Sequence, residues 1–194
     1  MKIIGITGSI GCGKTTLANI AQGLGFGVYY ADGATRRFYY QKDFIEIIDK
    51  NFAGVVVNGK VNKRALRNIV FNDRRELKRL EALVHPLLQK DLKLTIRKNA
   101  RRAEMLFIDA AILFELGWDK FCDLIILADV DYEIQKKRVM ERDKIAAEEF
   151  DRINDLQMDN KKKAVLADVI VDTNQPINRL RAEMIEIAEI AMAL

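Results

Sequence analysis

Proline is nearly absent from this chain: Pro86 and Pro176 are the only two in 194 residues. Each is therefore expected to mark an element boundary, and no proline-rich linker or low-complexity tract divides the sequence. Cysteine is as scarce. Cys12 and Cys122 form neither a disulfide framework nor a metal-ligand cluster, and Cys12 is read as a small space-filling residue. His85 is the only histidine, which excludes a His-based metal centre; beside Pro86 it is expected at a helix boundary, in a structural hydrogen bond. No apolar run approaches the roughly 20 residues needed to cross a bilayer. The opening Met1-Lys-Ile-Ile-Gly-Ile-Thr-Gly8 runs straight into a working motif, so the expectation is a cytoplasmic chain without a leader.

Strong charge of one sign is also missing. The formal net charge is +4, and acidic residues interleave most of the basic pairs Arg36-Arg37, Arg74-Arg75, Arg101-Arg102 and the run Lys161–Lys163. With no aromatic platform between them, they read as solvated helix faces rather than as a nucleic-acid track. What remains is the composition of a folded enzyme, 49% apolar and 31% charged, long enough for one α/β core with small insertions.

Five short apolar runs read as buried parallel strands: 2–6, 27–31, 105–109, 124–128 and 168–172. Helical patterns cover 15–23, 44–49, 64–71, 75–84, 87–100, 133–142, 148–163 and 177–192. The long helical interval between the second and third strands exceeds an ordinary α/β connection and is expected to form a lobe of its own.

Between the first strand and first helix lies Gly8-Ser9-Ile10-Gly11-Cys12-Gly13-Lys14-Thr15, which fits GxxxxGK[ST] at every constrained position. Glycines let the main chain wrap a phosphate with its N–H groups turned inward, and the following helix adds the positive end of its dipole. Lys14 reaches the β- and γ-phosphates, and the hydroxyl of Thr15 is a Mg²⁺ ligand. Gly8, Ser9, Gly11, Cys12, Gly13, Lys14, Thr15 and Thr16 are thus the expected nucleotide-binding residues. A GTPase would need Asn-Lys-x-Asp late in the chain; Asn62-Lys63-Arg64-Ala65 lacks the Asp and lies too early. Acidic residues stand where strands end, Asp32 after the second, Asp109 at the third and Asp129 after the fourth, and it is there that doubly wound sheets gather their ligands. Asp32 and Asp109 are candidates for two roles, one readying an acceptor hydroxyl and the other supporting Mg²⁺. Arg138 and Arg142, spaced i, i+4, share a helix face in the second insertion, and Arg152 follows.

In order and spacing, these residues resemble the dephospho-coenzyme A kinase family from end to end. The likeness is carried by 6–16, Ala31-Asp32-x-x-x-Arg36, Arg64 through Phe71 and Leu80 to His85-Pro86, Ala111-Ile-Leu-Phe-Glu115, Gln135-x-x-Arg138-x-x-x-Arg142, Arg152-Ile153, Gln157 and Ala167-Asp168. The resemblance implies a P-loop NTPase-type three-layer α/β fold with a five-stranded parallel sheet. Residues 1–32, 104–132 and 164–194 would be the nucleotide-binding core, 33–103 a helical lobe for the acceptor, and 133–163 a small helical lid. It implies transfer of the γ-phosphate of ATP, with Mg²⁺, to the ribose 3′-hydroxyl of dephospho-coenzyme A. Asp32 would be the general base; Arg36, His85, Leu113, Phe114 and Glu115 would contribute to the acceptor pocket; Arg138 and Arg142 would cover the nucleotide. Other small P-loop kinases, of the nucleoside monophosphate or shikimate type, are the competing reading. Ala111, where the family usually has proline, and Gln175, where glycine is common, depart from its pattern.

Overall fold

A computed structural model describes all 194 residues, which divide into two compact units: Met1–Tyr30 with Arg97–Leu194, and Ala31–Ile96. The first unit holds strands β1 (Lys2–Thr7) and β2 (Gly27–Tyr30), with helix α1 (Lys14–Gly23) between them. The second holds helices α2 (Ala31–Phe38) and α3 (Lys42–Asn51), a hairpin of β3 (Val56–Val57) and β4 (Lys60–Val61), and helix α4 (Lys63–Asn72). Helix α5 (Arg74–Asn99) lies almost wholly in it. The first unit then resumes with β5 (Met105–Asp109), a 3₁₀ turn at Trp118–Phe121, β6 (Leu124–Asp129), α6 (Tyr132–Asp143), α7 (Ala147–Asn154), α8 (Asn160–Leu166), β7 (Val169–Asp172) and α9 (Ile177–Ala193).

All five long strands pair in parallel, in the order β2-β5-β1-β6-β7. The expected strands all form, with ends shifted by no more than one residue. Their unbroken apolar runs are what a sheet covered on both faces demands. Ile4, Ile6, Met105, Phe107, Ile126 and Val171 are buried against Leu17 and Ala18 of α1 and Leu180, Met184 and Ile187 of α9. Because β1 sits between β5 and β6, the order reverses direction there, and the carboxyl ends of β1 and β5 border the crevice where such sheets take ligands.

The second unit packs its own core of Phe38, Phe44, Ile48, Phe52, Leu66, Val70 and Leu88. Its hairpin was not anticipated, because two-residue strands carry no readable alternation. The signal was the Asn58-Gly59 pair, whose backbone is left-handed at both residues (φ 50° and 69°), as a tight two-residue hairpin turn needs. Helix α2 was likewise missed. Asn62, weighed above as part of a guanine signature, caps α4 by accepting from the N–H of Ala65 at 3.1 Å.

Two boundary expectations fail. Pro86 does not end a helix, since α5 runs unbroken from Arg74 to Asn99. Pro86 has no N–H to offer the Ala82 carbonyl, and both residues are exposed, so the lost helical bond falls on the outer side of the helix rather than in the core. His85 is therefore a mid-helix residue, half-buried, and burial lowers its pKa while Glu81 one turn away opposes that shift. A histidine held neutral by folding binds fewer protons than its unfolded counterpart, so stability falls as pH drops below the ordinary value of 6.5. Thermal unfolding from pH 7.5 down to 5 should show a shallower loss of stability in His85→Gln than in the parent chain; parallel slopes would count against this.

The other failure is the single helix expected over 148–163. The chain breaks at 155–159, giving α7 and α8, and the Asp159 carboxylate caps α8 by accepting from the N–H of Lys161 at 2.7 Å. That break positions the site.

Candidate active site

The loop after β1 curls into the N-terminus of α1, and its glycines are required by neighbours as well as by conformation. Gly13, with φ 87°, ends the loop; a Cβ there would lie 2.8 Å from the hydroxyl of Thr173. At Gly11, with φ 82°, it would lie 2.4 Å from Val139 Cγ2 of α6. No side chain fits either place. Lys14 Nζ donates to the Ser9 carbonyl at 3.0 Å, which holds the ammonium against the loop it serves. The Thr15 hydroxyl donates to Asp109 Oδ2 at 2.9 Å. Asp109 ends β5, in register with Ile6 of β1 and Tyr30 of β2, and is 8% exposed.

A cavity of about 430 Å³ opens here, a size suited to a small ligand. Gly11, Gly13, Lys14, Thr15 and Thr16 line it, together with Arg138 and Arg142 of α6 and with Thr173, Gln175, Ile177 and Leu180. Arg138 is pinned: its Nη1 donates to the Thr173 hydroxyl at 3.1 Å and its Nη2 to the Thr173 carbonyl at 3.2 Å. The Arg142 guanidinium makes two 2.8 Å bonds to the carboxylate of Asp143. Arg152 is exposed on α7 and does not line this cavity.

The buried polar side chains of the protein gather around this loop: Thr7, Ser9, Asp109, Gln135, Lys163 and Thr173. The segment from α6 to α8 straps the loop from outside. Asn160 Oδ1 accepts from the Ser9 N–H at 2.9 Å and from the Ser9 hydroxyl at 2.8 Å, while Asn160 Nδ2 donates to Asp129 at 2.6 Å. Gln157 Oε1 accepts from the Ile10 N–H at 2.8 Å, and Gln135 Nε2 donates to the Ile10 carbonyl at 2.6 Å. None of these three was among the expected site residues. Reading α7 and α8 as one helix hid Gln157 and Asn160; the cap signal of Asp159 was the available clue. Asn160→Ala would strand the buried N–H of Ser9, at a cost of about 1–3 kcal/mol. Chemical denaturation should register that loss, and an unchanged midpoint would dismiss the strap.

Asp129, expected at a strand end, thus serves Asn160. Cys12 is fully buried, and desolvation raises its thiol pKa, which leaves it protonated and unreactive, in keeping with a space-filling role. Lys163 is completely buried, with Nζ donating to the Ala111 carbonyl at 2.5 Å and 3.8 Å from Glu115. Burial lowers its pKa, Glu115 opposes that, and Lys14 adds to it. In the 113–115 segment, Leu113 is wholly buried, with Cδ1 packed over Gly5, and Phe114 is half-buried. The Glu115 carboxylate accepts from the Met158 N–H at 2.8 Å.

Asp32, Arg36 and His85 belong to the other unit. Asp32 and Arg36 are both exposed on α2, one turn apart on the same face. No group of three or more His, Cys, Asp or Glu side chains stands ready to hold a metal ion, which leaves Thr15 and Asp109 as the oxygen pair at the loop.

The family model described as Dephospho-CoA kinase matches residues 2–179. This chain belongs to the dephospho-CoA kinase family. A dephospho-CoA kinase of Bartonella henselae is 36% identical over 186 residues, which cover 95% of each chain. Among solved structures, a protein of Thermus thermophilus superposes with a TM-score of 0.82 at 33% identity over 97% of both chains. A dephospho-CoA kinase of Campylobacter jejuni gives 0.68 at 26% identity, over 97% of this chain and 96% of that one. The chain is accordingly a kinase of P-loop fold. No helix in it is long and apolar enough to cross a membrane.

Proposed function

We propose that this chain transfers the γ-phosphate of ATP to the ribose 3′-hydroxyl of dephospho-coenzyme A, the last step of coenzyme A biosynthesis, in the cytoplasm. One observation carries the reading: a loop with Lys14 and Thr15 facing a cavity, in a chain that matches the family over residues 2–179. The loop N–H groups and the α1 dipole bind the phosphates, and Lys14 draws charge from the β–γ region as the bond to the leaving oxygen stretches. Arg138 and Arg142, on the same cavity, offset charge on the phosphoryl oxygens and keep water out.

The Thr15–Asp109 pair fits Mg²⁺: both donors are hard oxygens, 2.9 Å apart, and one is a carboxylate. Thr15 would be the direct ligand and Asp109 its acidic support; the ion supplies charge neutralisation of the β- and γ-phosphate oxygens. With Asp109 in that role, Asp32 would be left for the other task. Asp32 would take the proton of the 3′-hydroxyl as it attacks. Arg36, sharing its helix face, would meet an anionic part of the acceptor. The unit Ala31–Ile96 is then the acceptor lobe, to which His85 also contributes, and α6–α8 the lid. Of the 113–115 segment, Phe114 is the side chain suited to acceptor contact, since Leu113 is core and Glu115 is bonded to Met158.

Phosphate transfer from ATP should be measured with dephospho-coenzyme A, shikimate, AMP and CMP in parallel. Turnover with the first, giving a 3′-phosphorylated product, is expected. Turnover confined to any of the others would replace this reading with the competing one.

A further inference from the structure

The turn between β7 and α9 carries an amide whose orientation its neighbours dictate. Gln175 Nε2 donates to the Asp172 carbonyl at 2.8 Å and to Glu183 Oε2 at 3.1 Å. Both partners are oxygens that only accept. Reversing the amide would set its carbonyl against another carbonyl and a carboxylate, so the nitrogen must face them and both of its protons are used. The one polar atom of the group left for a ligand is Oε1, a pure acceptor. The turn itself is stiff. Asn174 N–H donates to Asp172 Oδ1 at 2.8 Å, the Thr173 hydroxyl donates to the Cys12 carbonyl at 2.8 Å, and Pro176 precedes α9.

Gln175 lines the same cavity as the phosphate loop, beside Ile177 and Leu180. Main-chain amides and Lys14 account for the phosphates, so these two aliphatic side chains are left to pack a base, with Gln175 at its edge. We propose that Gln175 selects the nucleotide: its Oε1 accepts from the exocyclic amino group of adenine and opposes the oxo group that hypoxanthine or guanine presents at the same position. The amide is held against rotation by Glu183, a residue that acts only through Gln175. This rests on the reading of the cavity as the nucleotide site.

The test uses the full chain and the pairs ADP/IDP and ATP/ITP, in which the 6-amino group becomes an oxo group. Equilibrium binding of ADP should be roughly tenfold tighter than that of IDP, the scale of one neutral hydrogen bond gained in one case and refused in the other. Gln175→Met, which keeps the length but removes the acceptor, should bring the two affinities within about twofold, at the cost of ADP binding. Glu183→Leu, which frees the amide to turn, should also narrow the ratio. A merely structural role would weaken both nucleotides alike. An unchanged ADP/IDP ratio in Gln175→Met, or no preference in the parent chain, overturns the proposal. The binding measurement needs no acceptor, so it separates two failures. A base preference without phosphorylation of dephospho-coenzyme A sinks the proposed reaction alone, and phosphorylation with an unaltered ratio in Gln175→Met sinks the base selection alone.

Discussion

Lys14→Ala is expected to lower kcat/KM for ATP by about 10²–10³-fold, the loss that follows removal of one preorganised charge from a developing anion. The ammonium is already held over the loop, 3.0 Å from the Ser9 carbonyl, so its aim is set by the fold rather than acquired on binding. The charge grows at the bridging oxygen during transfer, so kcat should suffer more than nucleotide affinity. Folding should be little affected, because Lys14 is only half-buried and its neighbour Lys163 would lose a repelling charge. Steady-state kinetics beside a thermal melt would check both halves. Turnover retained within tenfold in a folded variant would remove the loop lysine from the mechanism.

Asp32→Asn is expected to lower kcat by about 10²–10⁴-fold, the range for loss of a positioned general base, while ATP binds nearly as before. The two substitutions should therefore separate: one touches the donor, the other the acceptor. The reason for assigning the base to Asp32 is that Asp109 is already engaged with the Thr15 hydroxyl and is largely shielded, whereas Asp32 is exposed at the start of α2. Single-turnover measurements with equilibrium ATP binding decide between the roles. Weak ATP binding with modest loss of turnover would instead make Asp32 part of the metal shell.

Much of the core was legible because its signals are local. An apolar run of five or six residues between polar turns has one stable fate in an α/β protein, and all five such runs became strands of one parallel sheet. The phosphate loop was legible for a related reason: its conformation needs glycine at fixed places, as the close approaches of Val139 to Gly11 and Thr173 to Gly13 bear out. Failures came where a distant partner or the solvent overrode local preference. Pro86 reads as a stop, yet α5 passes through it at a position where both Pro86 and Ala82 are exposed. The run 148–163 reads as one helix, yet it breaks so that Gln157 and Asn160 can bond the loop 147 and 151 residues earlier in the chain.

From its residues alone this chain declared a phosphate-binding loop, the sheet that carries it and the family it resembles, since each depends on short-range rules of backbone and burial. Only the tertiary structure decided which carboxylate bonds Thr15, what holds Ser9 and Ile10 in place, and which atom of the Gln175 amide is taken up by Asp172 and Glu183. Those are questions of hydrogen-bond partnership between segments far apart in sequence, and a donor or acceptor has no fixed role until folding brings its partner within about 3 Å.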